Sequence, residues 1–368
     1  MTAAATALTR CEERKGMINL TDLEYGELER FVTESLKEPK FRAKQIFSWI
    51  YGGPAKDGSF RAGAESFEEM TNLPKTLREK LKAQAALTNP EVLRMQVSKL
   101  DGTRKFLFRL GDGNAIESVF MQYKFGNSIC VSSQAGCRMG CRFCASTIGG
   151  LKRNLTPGEM TGQILAAQRS TGQRISHVVV MGTGEPFDNY ENLSAFIRII
   201  NDPGGLNIGM RHITVSTCGL VPVIPRFAED FPQVNLAISL HAVSNEMRDA
   251  IMPVNKAYPM EELLMACRTY TEKTARRITF EYTLVKDVND SPAYAKKLAS
   301  RLQGLLCHVN LIPLNKVAET GYDTTERGAV LRFQQVLTDC GIPATIRREL
   351  GDDIDAACGQ LRLSENEG

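Results

Sequence analysis

The sequence lacks any apolar run approaching the ~20 residues that a membrane-spanning helix needs, and its N-terminus lacks the basic-then-apolar pattern of a secretory leader. A cytoplasmic protein with no membrane attachment is the expectation. It also lacks a decisive charge. Its 45 Lys and Arg against 42 Asp and Glu leave +3, too small an excess to identify a nucleic-acid partner, although Lys152-Arg153 and Arg347-Arg348 keep local phosphate contacts open. What it has is cysteine. Ten cysteines without an export signal argue against a disulfide framework and for metal ligation or catalysis by some of them. With 368 residues, 43% of them hydrophobic, the chain can bury a large core, and its length suggests two or three domains.

Residues 1–90 read as a helical domain. Leu23, Leu28, Phe31 and Val32 follow a helical stripe behind the capping candidates Thr21 and Asp22; Phe41, Ile46, Phe47 and Ile50 form a second apolar face; Met70, Leu77 and Leu81 form a third that closes near Gln84. Residues 91–128 form a β extension, because Val92 to Tyr123 alternates apolar and polar residues around the turn signals Asp101-Gly102 and Asp112-Gly113, the pattern of an antiparallel meander. Over 129–350 short apolar runs alternate with helical stretches. The strands expected are Ile129 to Ser132, His177 to Met181, His212 to Ser216, Asn235 to His241, Ile278 to Val285 and His308 to Leu314, with Ala344 to Arg347 as an edge. Such alternation calls for an α/β fold with a parallel sheet, either curled into a partial barrel or open and doubly wound. In both shapes active residues belong at the C-terminal strand ends. Residues 351–368 form a polar tail.

Directly after the first of these strands, Cys137, Cys141 and Cys144 stand in a CxxxCxxC spacing. Three thiolates within eight residues can hold one corner of a 4Fe-4S cubane, with Gly136, Gly140 and Ala145 letting the backbone approach, and three ligands leave one iron open to chelate a substrate. The alternatives are a zinc site completed by a distant residue and buried structural thiols.

This spacing at the head of a repeated βα domain resembles the radical S-adenosylmethionine superfamily, which implies a partial (βα)6 barrel and a cluster whose open iron binds S-adenosylmethionine and cleaves it to a 5'-deoxyadenosyl radical. In Met181-Gly-Thr-Gly-Glu-Pro-Phe-Asp-Asn189, Gly184 and Glu185 are similar to the superfamily's pair for the methionine amino group. Ser216 and the Ser239-Leu240-His241 run end later strands, and Asn315 closes Leu311-Ile-Pro-Leu-Asn315. By resemblance, Gly184, Glu185, Ser216, Ser239, Leu240, His241 and Asn315 contact S-adenosylmethionine.

Two further cysteines stand outside the triplet. Cys130 precedes it in the strand, and Cys358 sits in the polar tail Gly351-Asp-Asp-Ile-Asp-Ala-Ala-Cys-Gly-Gln-Leu361. Together CVSSQAGC from Cys130, GCRFCASTIGGLKRNL from Gly140, GEPFDN, SLH, the tail and Phe41-Arg-Ala-Lys-Gln-Ile-Phe-Ser-Trp49 resemble the family that methylates C2 of adenine in 23S rRNA and tRNA. Thr183 departs from its more usual Met or Ile. The resemblance implies two S-adenosylmethionine molecules per turnover: one methylates the thiol of Cys358, and the other yields the radical that takes hydrogen from that S-methyl group. The thiomethylene carbon then adds to the electrophilic C2, Glu117 accepts the C2 proton, and the Cys130 thiol releases the protein–RNA adduct by forming a disulfide with Cys358. It also implies an electron donor such as flavodoxin or ferredoxin and no obligate protein subunit. The alternatives are the sibling chemistry at adenine C8 and, in another class, a noncatalytic zinc or iron–sulfur RNA-binding module. Trp49 and Tyr51 in the helical domain are either candidates for stacking on RNA bases or part of its core.

Overall fold

The computed structural model describes residues 17–54, 60–314, 323–348 and 350–354. Its largest sheet has ten strands whose spatial order follows the chain: β1 (Glu91–Val97), β2 (Arg104–Arg109), β3 (Ala115–Tyr123), β4 (Gly126–Cys130), β5 (His177–Val180), β6 (Ile213–Thr217), β7 (Asn235–Ser239), β8 (Ile278–Leu284), β9 (Cys307–Pro313) and β10 (Ala344–Ile346). β1 to β4 are antiparallel neighbours, as their short turns require, and β4 to β10 are parallel. β4 belongs to both halves. Each parallel crossover carries helix, beginning with α4 (Pro157–Thr171) between β4 and β5 and α5 (Tyr190–Asn201) between β5 and β6. A doubly wound sheet would reverse its strand order at a switch point. Here the order never reverses, and residues of β3 to β9 line one common cavity, so the sheet is curled into a partial barrel.

Local chemistry explains the crossovers. Thr156-Pro-Gly-Glu159 starts α4 with a capping box: Glu159 N donates to Thr156 Oγ1 at 3.2 Å, Thr156 N donates to Glu159 Oε2 at 3.0 Å, and Pro157 occupies the first turn. Gly172, in the left-handed conformation at φ 67°, ends it.

Upstream lie α1 (Tyr25–Arg30), α2 (Phe41–Tyr51) and α3 (Lys75–Gln84). Ile46, Phe47, Ile50, Leu77 and Leu81 are buried as their spacing predicts, each such side chain contributing about 1.5–3 kcal/mol. Two expectations need correction, and one open alternative is decided. Thr21 and Asp22 do not cap α1; Glu24 does, through a reciprocal box with Glu27, while Asp22 Oδ1 accepts from Gly158 N at 2.7 Å and so satisfies an amide of α4. Phe41 is 56% exposed, with the Arg42 guanidinium over its ring, and is not part of the α2 apolar face. Tyr51 is fully buried against Phe47 and cannot stack on a base; Trp49 is held by the Arg61 guanidinium and donates Nε1–H to Asn72 Oδ1.

Strand ends shift by one to three residues. The strand expected over Ile129 to Ser132 spans Gly126–Cys130, and that expected over Asn235 to His241 stops at Ser239, leaving His241 in a loop at φ 54°. Among the described residues no helix is long and apolar enough to cross a membrane.

Candidate active site

The barrel encloses a cavity of about 350 Å³, within the range of small-molecule sites. Cys130, Cys137, Cys141, Cys144, Gly184, Glu185, Ser216, Ser239 and His241 all line it. Residues scattered over more than a hundred positions meet there because parallel strands deliver their C-terminal ends to one mouth.

The cysteine triplet rides on a loop closed at its base by an antiparallel ribbon, Gln134–Gly136 against Leu151–Asn154. Gly136, at φ 80°, allows this closure: a Cβ there would lie 2.0 Å from Gly150 O. Cys137 and Cys141 are buried and Cys144 is partly exposed. Burial, reinforced by the neighbouring thiol of Cys144, pushes the Cys137 thiol up to about 11, although the Met139 amide opposes this; burial and the other two thiols raise Cys141 as well. Such thiols ionise only beside a cation. The three thiols line the same cavity and lie near enough to raise one another's pKa. Three soft donors beside open space fit an iron–sulfur cluster, whereas a structural zinc site needs a fourth protein ligand.

The segment after β5 lines the same cavity. Gly184 stands at φ 112°, where a Cβ would meet Gln134 Cβ at 2.6 Å and Gln134 N at 2.8 Å. Gln134 Oε1 accepts from Glu185 N at 2.8 Å, and the Glu185 carboxylate accepts from Phe187 N at 3.0 Å and Cys218 N at 2.7 Å. Burial raises the Glu185 pKa while these donors oppose it. Its carboxylate retains acceptor sites for an ammonium group. Thr183 has its hydroxyl partnered by Ser146 Oγ at 3.5 Å.

Ser216, near the end of β6, and Ser239, at the end of β7, face the cavity; Leu240 is fully buried and does not line it. His241 Nδ1 accepts from Thr283 N at 2.9 Å, and its ring meets Phe143 edge-on at 4.9 Å, between two of the cysteines in sequence. It is both a satisfied core histidine and a cavity residue. Arg248 supports this mouth from behind, donating to Cys218 O at 2.6 Å, Ser239 O at 3.1 Å and Leu240 O at 3.3 Å. It was not legible in the sequence. Glu281 was also missed: a buried carboxylate on β8 that lines the cavity, accepts from Asn310 Nδ2 at 2.8 Å, and is raised in pKa by burial.

Cys130 ends β4 opposite Val119 of β3, and both line the cavity. Glu117 lies two residues before Val119 and hence on the same face of β3. It is 4% exposed, not a solvated strand glutamate, and forms an ion pair with Lys105. Asn315 and Cys358 lie outside the described residues.

The family model of the ribosomal RNA large subunit methyltransferase N-terminal domain matches residues 18–87, and that of the radical SAM superfamily matches residues 131–297. The chain is 52% identical over 346 residues to the probable dual-specificity RNA methyltransferase RlmN of Clostridium tetani, covering 94% of this chain and 96% of that protein. It is 53% identical over 346 residues to the protein of the same name from Pelotomaculum thermopropionicum, covering 94% and 91%. A crystal structure of a radical SAM methyltransferase from Sphaerobacter thermophilus superposes with a TM-score of 0.86 at 47% identity, covering 93% of this chain and 98% of that one. With such identity sustained along nearly its whole length, the chain belongs to the RlmN family of radical SAM methyltransferases.

Proposed function

We propose that the protein methylates C2 of a specific adenine in 23S rRNA, at the peptidyl transferase centre, and of the adenine 3' to the anticodon in tRNAs. Membership of the radical SAM superfamily implies a 4Fe-4S cluster and S-adenosylmethionine. When bound, they supply a carbon radical, which can act at an electrophilic ring carbon that a methyl cation cannot methylate.

Cys137, Cys141 and Cys144 would hold the cluster beside the cofactor pocket. Glu185 accepts from the cofactor's amino group, with Gly184 giving it room, and Ser216, Ser239, the Leu240 backbone, His241 and Asn315 complete its pocket. Cys358 carries the methyl group and ends joined through its carbon to adenine C2. Glu117 takes the C2 proton, and the unpaired electron left on the adduct passes to a one-electron acceptor, a role the oxidised cluster would fill. Cys130 then attacks the Cys358 sulfur: a disulfide forms, the carbon–sulfur bond breaks, and its electron pair passes to the carbon, which takes a proton to become the new methyl group. An external reductant restores both thiols. Two S-adenosylmethionine molecules are consumed per turnover, with electrons from a flavodoxin- or ferredoxin-type donor, in the cytoplasm and without an obligate partner subunit.

The observation that carries this reading is that Cys130, outside the triplet, shares one cavity with Cys137, Cys141 and Cys144. Exposed Arg347 and Arg348 line the same cavity and suit the phosphates of a substrate RNA. An anaerobic assay of the wild type, Cys358→Ala and Cys130→Ala tests it. The expected results are C2 methylation, no methylation and a covalent protein–RNA adduct, in that order; turnover by Cys358→Ala refutes the scheme. Mass mapping of the product separates C2 from the C8 alternative. RNA binding without reductive cleavage of S-adenosylmethionine would instead support a binding module.

A further inference from the structure

The segment after β10 runs from one edge of the main sheet to the other. Arg347 N donates to Leu311 O at 2.8 Å and so prolongs the pairing of β10. Arg347, Arg348, Leu350 and Asp352 then line the cavity. The chain next meets the turn between β1 and β2, at the far end of the strand order. Two backbone amides donate across this contact in opposite senses, and the Ser98 side chain also hydrogen-bonds the Asp353 carboxylate. Gly351 N donates to Asp101 Oδ2 at 3.0 Å, and Lys99 N donates to Asp353 Oδ2 at 2.8 Å, across sequence separations of 250 and 254 residues. Gly351 takes the bend at φ 69°.

The turn is built to present this acceptor. Thr103 N donates to Asp101 Oδ1 at 2.9 Å, and Leu100 N and Asp101 N both donate to Ser98 Oγ, so one Asp101 oxygen braces the turn while the other faces the tail. Burial alone would raise the Asp101 carboxyl, but the donors of Thr103, Gly351 and Ser98 hold it at about 2, so it is ionised and its bond to the tail is charge-assisted.

Cys358 follows Asp352 by six residues, a span of at most ~20 Å when fully extended. With 351–353 anchored, the thiol is tethered to the cavity by that short length, which raises its effective concentration there. We propose that Asp101 and Asp353 are positioning residues that dock the C-terminal segment on the turn 98–103 and thereby deliver Cys358 to the cavity lined by Cys130. Neither Asp101 nor Asp353 lines the cavity. The inference rests on the reading of Cys358 as the methyl carrier.

The test uses the cluster-loaded protein and the variants Asp353→Ala, Asp353→Asn, Asp101→Ala and Cys358→Ala. Amide exchange followed by mass spectrometry should show slow exchange in the wild type for peptides containing Lys99 and Gly351, and faster exchange in both for Asp353→Ala, although only one partner is altered. RNA methylation by Asp353→Ala should fall about 10- to 100-fold in kcat, with RNA KM and cluster absorbance unchanged, as expected when only positioning is lost. Asp353→Asn keeps a carbonyl acceptor and should recover most of the rate. Asp353→Ala leaves the turn's own bonds intact, so it decides the matter even where Asp101→Ala misfolds the turn. Unchanged exchange in Asp353→Ala overturns the proposal, as does faster exchange with a wild-type kcat. Cys358→Ala separates the two levels. If it turns over RNA, the carrier reading fails and takes the positioning role with it. If it is inactive while Asp353→Ala keeps full rate, the carrier reading stands and only the positioning role falls.

Discussion

Lys105 Nζ lies 3.2 Å from Glu117 Oε2, and both side chains are shut away from solvent, at 0% and 5% exposure. They stand on adjacent antiparallel strands, and they place an ammonium group against the carboxylate proposed as the proton acceptor. A carboxylate in that position would otherwise be costly to bury in its charged form.

Lys105→Met strips Glu117 of this cation at nearly constant volume, and the expected loss of stability is about 3–5 kcal/mol. Replacing both residues, as in Lys105→Met with Glu117→Leu, should recover a large part of it, because no buried charge is then stranded. Urea denaturation of the two single variants and the double variant measures the coupling. Strictly additive losses would show that the pair contributes nothing as a pair.

Gly184→Ala should weaken S-adenosylmethionine binding and destabilise the fold by about 1–3 kcal/mol, since its methyl group would press on Gln134 from a backbone at φ 112°. Gly111→Ala is the control, because a Cβ there meets nothing within 4 Å. Equilibrium binding and thermal denaturation of both variants provide the comparison. Equal behaviour would remove the steric argument for Gly184.

His241 links stability to pH. Burial, assisted by the Arg248 cation, pushes its pKa down to about 3, against about 6.5 in an unfolded chain. Below pH 6.5 the unfolded chain takes up a proton that the folded protein refuses. The stability from keeping this ring neutral is therefore complete above pH 6.5 and declines towards pH 3, by up to about 1.4 kcal/mol per pH unit. Denaturation at pH 7, 6 and 5 should show His241→Gln losing less stability on acidification than the wild type; parallel curves would assign the pH dependence to other groups.

Several features were legible because they are local. Cys137, Cys141 and Cys144 lie within one short loop, and each β–α alternation shows in a window of about fifteen. Resemblance then extended the reading to Gly184 and Glu185. It missed where strands end, because the last pairing depends on the neighbouring strand; hence His241 left its expected strand for a left-handed loop position.

By itself the sequence determined the cysteine triplet, the α/β repeat and the antiparallel extension, since each is written in residue types at short spacing. Only the tertiary structure decided that the sheet curls without reversing its strand order, that Cys130 faces the triplet's cavity, and that Asp22 serves a helix 136 residues away. Lys105 beside Glu117, Arg248 behind three strand-end carbonyls and Asp101 beneath the C-terminal segment belong to the same class. Their roles arise from partners that approach only when the core closes, and nothing in the immediate chain around such a residue encodes the distance to its partner.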